Sequence, residues 1–208
     1  MKSINLYTIV IGCLLASGCT IHPVYNIKSV DTTKTQTFTI KDNRPQTEKE
    51  SEILSSIATS CSYGIARMGD DKTNPDRISY LAAVLSKEKG RVLSDKTITL
   101  NHFVIYRNNQ IMIRGGLPTG GFTNALLNDA GCYAKKDQPG GYDLEENPDG
   151  INAVVIEISL SIDGKKVNSR TVRPAPGTAS HFPGTPEVWA TEVSEAVDSA
   201  VMDIVKQL

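Results

Sequence analysis

Proton transfer and anion binding need imidazoles, carboxylates and guanidinium groups, and this chain offers few in suggestive positions. His22, His102 and His181 are its three histidines, and Asp42-Asn43-Arg44-Pro45 sets an acid and a base beside a proline. A hydrolytic site built from His102, Asp42 and His181 would have to be assembled by the fold, because no two of them are close in sequence. Asp42 and Arg44 beside Pro45 could clamp a ligand, but the plainer reading is a local ion pair on the surface. Compact motifs point away from known chemistries. Gly115 to Gly121 is glycine-rich, but a phosphate-cradling loop continues with Lys and then Ser or Thr, whereas Phe122 follows here, so the run reads as a flexible loop. Ser86-Lys87-Glu88-Lys89 has a serine–lysine spacing used in acyl transfer, yet it falls on a charged helix face without companion motifs. Asp143, Glu145, Asn147 and Asp149 alternate as calcium ligands do, but Pro148 replaces the turn glycine and Val154 the bidentate acid, which leaves a solvated acidic loop. No GxSxG or HExxH pattern occurs. No catalytic, metal or cofactor residue is assigned from the sequence.

The composition agrees. The 208 residues carry 22 basic and 23 acidic side chains for a net charge of -1, so no electrostatic excess draws the chain to nucleic acid. With 39% apolar and 22% charged residues it belongs to the globular class.

The most informative stretch is the N-terminus. Lys2 supplies a positive charge, and the run from Leu6 to Ala16 carries none. As a helix it would cover about 16 Å, roughly half the hydrocarbon thickness of a bilayer, so it reads as a signal peptide over residues 1–18 and not as a span. Its end, Leu15-Ala16-Ser17-Gly18-Cys19, resembles the lipobox of bacterial lipoproteins, with Ala16 where Leu is commonest. The alternative is an ordinary secretory cleavage site with a cysteine beside it. The resemblance implies that Cys19 is acylated and opens the mature chain, which is then held on the lipid bilayer. It also implies that Thr20, in place of Asp, sends the protein to the periplasmic side of the outer membrane in a two-membrane bacterium, and otherwise to the cell membrane. Each buried acyl methylene contributes about 0.8 kcal/mol, so several chains on one cysteine hold firmly.

Residues 19–34 then form the lipidated N-terminus and a polar tether, and residues 35–208 a single domain. Extended, Thr20 to Lys34 reach at most about 50 Å; an extra strand docked on the sheet is the alternative. Cys13 leaves with the signal peptide, which leaves Cys61 and Cys132 in an oxidising compartment with one possible pairing. A disulfide between them would stabilise by about 2–4 kcal/mol. Two buried thiols or a metal pair are the alternatives, although Cys61 has no CxxC or CxxH neighbour.

The elements that must position any site follow from periodicity. Thr35 to Lys41 alternates as a strand and stops at Pro45. Helix and strand compete between Ser51 and Ile65, with a short helical turn and then a strand near Cys61 favoured. Asn74-Pro75 reads as the cap and first turn of a helix with Ile78, Leu81, Ala82 and Leu85 inward and Arg77, Lys87, Glu88 and Lys89 outward, ending near Gly90. Thr97 to Arg107 and Gln110 to Arg114 read as a hairpin turning at Asn108-Asn109. A second hairpin joins Val154–Ile162 to Lys165–Arg173 through Asp163-Gly164. The last helix opens at Thr185-Pro186-Glu187 and carries Trp189, Val193, Ala196, Val197, Ala200, Val201, Ile204 and Leu208 at helical spacing, with Trp189 read as core. The order predicts an α/β (α+β) two-layer sandwich, a mainly antiparallel sheet with amphipathic helices on one face.

Taken together, the lipobox, the strand ending Asp42-x-Arg44-Pro45, the helix after Pro75-Asp76-Arg77 and Trp189-Ala190 opening the last helix resemble small bacterial envelope lipoproteins, with a distant likeness to auxiliary lipoproteins of lipid-transport ABC systems. That likeness implies a non-enzymatic, lipid-anchored binding or scaffold protein presenting residues 115–150 and 174–186 to another envelope protein. An envelope hydrolase with a site assembled from scattered residues and a carrier of an apolar ligand between helix and sheet remain as alternatives.

Overall fold

The structure is a computed structural model that describes residues 24–28, 30–31, 36–58, 61–112, 139–142, 152–175 and 186–208. Its centre is one strand, β6 (Thr97–Met112), whose two edges are occupied differently. On one edge it pairs antiparallel with β7 (Asn152–Ile162), which pairs in turn with β8 (Lys165–Ala175). On the other edge, β2 (Thr39–Asp42) runs parallel to its first residues, and β4 (Cys61–Met68) runs antiparallel to its last, with β3 (Glu52–Ala58) outside β4. This makes a six-stranded, mainly antiparallel sheet. The two-layer α+β architecture expected from the sequence is the one observed.

The sheet exists because alternate residues of β6 and β7 are apolar. Ile98, Leu100, Phe103 and Ile105 of β6 and Val154, Ile156, Ile158, Leu160 and Ile162 of β7 share one core with the buried residues of two helices. A bulge between Leu100 and His102 shifts the register, so Phe103 and not His102 joins that face. The helices are α2 (Arg77–Lys89) and α3 (Pro186–Gln207); α1 is a single turn, Gln46–Lys49. Trp189, Val193, Ala196, Val197, Ala200, Val201 and Ile204 of α3 are all buried, as their spacing predicts. The β7–β8 turn is also as read: Asp163 and Gly164 both have positive φ, 51° and 80°, the conformation of a tight hairpin turn.

The opposite face holds a second, smaller cluster of Ile65, Val104, Tyr106, Tyr142, Ala153 and Val155. Tyr142 arrives from outside the sheet and is fully buried there. Gly140 beside it has φ +70° and lies so close to the Tyr106 ring that a Cβ would approach it to 2.6 Å.

Four sequence expectations are corrected. Residues 97–112 are one long strand and not a hairpin, because Asn108 continues to pair with both Ile65 and Ala153 and is fully buried. The α2 cap is Asp76 and not Asn74: Asp76 Oδ1 accepts from the Ile78 and Ser79 amides at 3.0 Å each, while Asn74 belongs to β5 (Thr73–Asn74). Arg77, expected toward solvent, is fully buried, and the inward face of α2 is Tyr80, Leu81, Val84 and Leu85. The region after α1 holds two strands, β3 and β4, where one was favoured. Within the stretch read as a tether, β1 (Tyr25–Asn26) pairs parallel with β5 in a two-stranded sheet of their own, and Tyr25 and Ile27 are buried.

Candidate functional site

The densest group of ionisable side chains lies where β6 lacks a neighbour. β2 covers β6 as far as Leu100 and β4 resumes only at Ile105, so the intervening backbone has no strand partner on that edge. Unpaired backbone groups in a buried strand cost free energy comparable to a lost hydrogen bond. Side chains fill the gap. Arg77 Nη1 donates to the Phe103 carbonyl at 2.6 Å, and the Phe103 amide donates to Glu48 Oε2 at 3.4 Å.

Arg77 reaches this place because Asp76 caps α2 and sets the first turn, and the chain before it carries a 3-10 turn, Asp70–Lys72, that presents Asp70. Asp70 Oδ1 accepts from Arg77 Nε at 2.8 Å, and Arg77 Nη2 also donates to the Glu48 carbonyl at 2.9 Å. The guanidinium further lies 5.8 Å from the centre of the Phe103 ring. Arg44 is held between two carboxylates: Asp42 accepts at 2.9 and 3.2 Å, and Asp70 at 3.1 and 3.0 Å. Both bridges are bidentate, the strong geometry for guanidinium and carboxylate. The Arg44 side chain is completely buried by these contacts, so the surface ion pair expected of Asp42 and Arg44 is instead an interior one on the arginine's side. Lys49 adds a further bridge to Asp42 at 2.9 Å.

His102 continues the network on the second face. Its Nδ1 lies 2.7 Å from Glu48 Oε1 and its Nε2 3.2 Å from Glu157 Oε2. Glu157 sits opposite Arg170 on β8, 3.6 Å away, and Arg170 donates to the Gly141 carbonyl at 2.8 Å. Charges thus alternate from Lys49 through Asp42, Arg44, Asp70 and Arg77, across the α1 backbone to Glu48, His102, Glu157 and Arg170.

The protonation states follow. Hydrogen bonding to Glu157 raises the His102 pKa, burial opposes this, and Glu48 raises it further, so the charged imidazolium is stabilised relative to a free histidine. The reciprocal bond lowers the Glu157 pKa against its partial burial. Burial would raise Asp42 and Asp70, but Arg44, with Lys49 and Arg77, overcomes it and holds both carboxyls below the usual range. Burial alone drives Tyr142 upward.

Of the residues proposed for a scattered catalytic site, Asp42 and His102 are in this one network but with different partners, Arg44 and Lys49 for the first and two glutamates for the second. His181 lies outside the described residues, as do Cys19, His22, Cys132, the glycine-rich run and the acidic loop; Cys61 opens β4. Among the described residues no group of His, Cys, Asp and Glu is arranged to hold a metal ion, and no helix is long and apolar enough to cross a membrane.

Comparison with protein-family models, curated proteins and solved structures returns no match. The geometry must speak for itself. Sequence reasoning missed Glu48, Asp70, Arg77, Glu157 and Arg170. Only Glu157 carried a signal, as a carboxylate among serines on the polar phase of a strand; Arg77 looked like any charged residue in the first turn of a helix.

Two surface depressions lie elsewhere among the described residues. One, of about 430 Å³, lies between the N-terminal segment and α3, lined by Asn26, Lys28, Ser194, Glu195 and Asp198. Lys28 bridges Asp198 across it at 3.0 Å, and Asp198 also accepts from the Tyr80 hydroxyl at 2.7 Å. The other, of about 180 Å³, lies beside Tyr25, Ile53, Arg67, Met68, Lys72 and Arg107.

Proposed function

We propose that this chain is a lipid-anchored binding or scaffold protein of the bacterial envelope, held on the periplasmic face of the outer membrane through acylated Cys19 and acting by contact with another envelope protein. The observation that carries this reading is that the side chains best suited to chemistry have a structural task. Arg77 and Glu48 supply the missing partners of β6, and the two nitrogens of His102 are each bound to a carboxylate. A general base needs a lone pair free to meet a substrate proton, and both ring nitrogens of His102 are engaged by carboxylates.

The position of the loops supports the same reading. The β3–β4 connection, the end of β6, the start of β7 and the end of β8 all lie at one end of the sheet, since Cys61 pairs with Met112 and Asn152 with Ala175. Residues 113–151 and 176–185 therefore depart from that common end, a natural place to meet a partner. The space between helices and sheet is occupied by side chains of the core, which favours contact at the surface over carriage of an apolar ligand inside.

The test is crosslinking in intact envelopes followed by affinity purification, with Cys19→Ala as the control and intact mass as a second readout. An acyl increment on the purified protein, with an envelope protein captured by the wild type and lost in the variant, is the expected result. A mature chain without the increment and without a partner overturns the reading.

A further inference from the structure

We infer that the face around Tyr25, Ile53, Lys72 and Arg107 rests on the bilayer surface and takes the phosphate groups of anionic phospholipids; this rests on the lipid-anchored reading of Cys19. The described chain is already docked at Tyr25, whose ring is buried and whose hydroxyl accepts from Arg107 Nη1 at 2.9 Å. Cys19 stands six positions earlier, a reach of at most about 20 Å. An acylated cysteine therefore keeps the part of the domain around Tyr25 within one short span of the headgroups.

Ile53 is 69% and Val24 55% exposed, two of the three large apolar side chains that the described residues leave open to solvent. Ile53 and Tyr25 both border the 180 Å³ depression, together with Arg67, Lys72 and Arg107 and a single acid, Glu52. Arg67 is paired with Glu52 and Lys72 with Asp71; the acids are well exposed, 56% and 65% for their side chains, while the cations themselves are 12% and 19% exposed, so each presents only its edge to a headgroup. Arg107 has no acidic partner among the described residues: it is fixed by Tyr25 and by the Trp189 ring, 5.5 Å below its guanidinium. Apolar side chains flanked by fixed cations are the composition of an interfacial surface. The short tether raises the effective concentration of lipid at this face, so a few weak contacts suffice.

The experiment uses the purified acylated protein in vesicles of phosphatidylcholine alone or with 30% phosphatidylglycerol, each carrying a dansyl headgroup lipid. Trp189, the one tryptophan, is the energy donor. Transfer is expected to be greater in the anionic vesicles, to decline when salt is raised, and to fall in Ile53→Glu and Lys72→Glu. For Lys72→Glu the ratio of docked to undocked protein should drop about fivefold or more. Equal transfer for acylated wild type and both variants, or no dependence on phosphatidylglycerol, overturns the inference while leaving the anchor intact. Absence of the acyl mass on the same sample overturns the anchor and the inference with it. If Lys72→Glu does not fold, Lys72→Gln with the salt titration gives the same discrimination.

Discussion

Along its β7 side, β6 is paired from Ile98 to Asn108 with a single bulge, while along its other side β2 and β4 leave the backbone near Phe103 to Arg77 and Glu48. The first edge is closed by backbone and needs only alternating apolar residues to hold its place. The second is closed by charged side chains, and each then needs its own partner: Arg77 requires Asp70, Asp70 is shared with Arg44, and Arg44 requires Asp42. An interrupted ladder thus recruits buried charge, and the burial is tolerated because every guanidinium nitrogen of Arg44 and Arg77 has a partner.

That contrast is broken most severely at Arg77. Arg77→Ala leaves the Phe103 and Glu48 carbonyls without their side-chain donor and Asp70 with Arg44 alone, and the expected loss is about 3–5 kcal/mol in denaturant unfolding; a loss below 1 kcal/mol would mean that the gap in β6 is closed some other way. Next comes the apolar edge. Ile156, fully buried on the helix-covered face of β7, is expected to cost about 2–5 kcal/mol as Ile156→Ala, and its effect should add to that of a distant surface change such as Asp163→Asn.

A third prediction separates the edges by pH. Because the His102 pKa is raised in the folded protein, its contribution is fully present below the unfolded value near 6.5 and is lost as pH rises through the folded value. Glu157, whose pKa is lowered, contributes above its ordinary value and loses that contribution as pH falls through the depressed one. Stability measured across pH 5–9 should therefore decline on the alkaline side by about 1 kcal/mol, and the decline should vanish in His102→Gln. A variant with the wild-type profile would assign the titration to another group. The smallest effect belongs to the β7–β8 turn. Gly164 has φ +80° with open space around it, so Gly164→Ala should cost about 1 kcal/mol through backbone conformation alone, without disturbing the His102 titration.

Legibility followed the same division. The β7–β8 hairpin and the buried stripe of α3 were visible in the sequence because each is a local pattern: period two with a two-residue turn, and period 3.6 with small residues. The length of β6 was not, because Asn108-Asn109 has turn chemistry and only pairing on both sides keeps it extended. Nor was the α2 boundary: Asn74 and Asp76 are both good caps, and the choice fell to Asp76 because Asn74 pairs with Asn26 in the small parallel sheet. His102 and Asp42 were singled out by residue type alone, and neither Glu48 nor Asp70 has a local pattern that foretells its partner.

By itself, then, the sequence determined the class of the fold, the two hairpin strands after residue 151, both long helices and the expectation of an acylated Cys19, since all of these are written in short-range periodicity or contiguous motifs. Tertiary structure alone decided that β6 has a gap in its ladder, that Arg44 and Arg77 turn inward to serve it, and that Tyr25 docks close behind the proposed anchor. Those outcomes depend on which strands compete for one edge, and residues such as Asp42 and Asp70, or Glu48 and Glu157, meet only after the chain has closed around them.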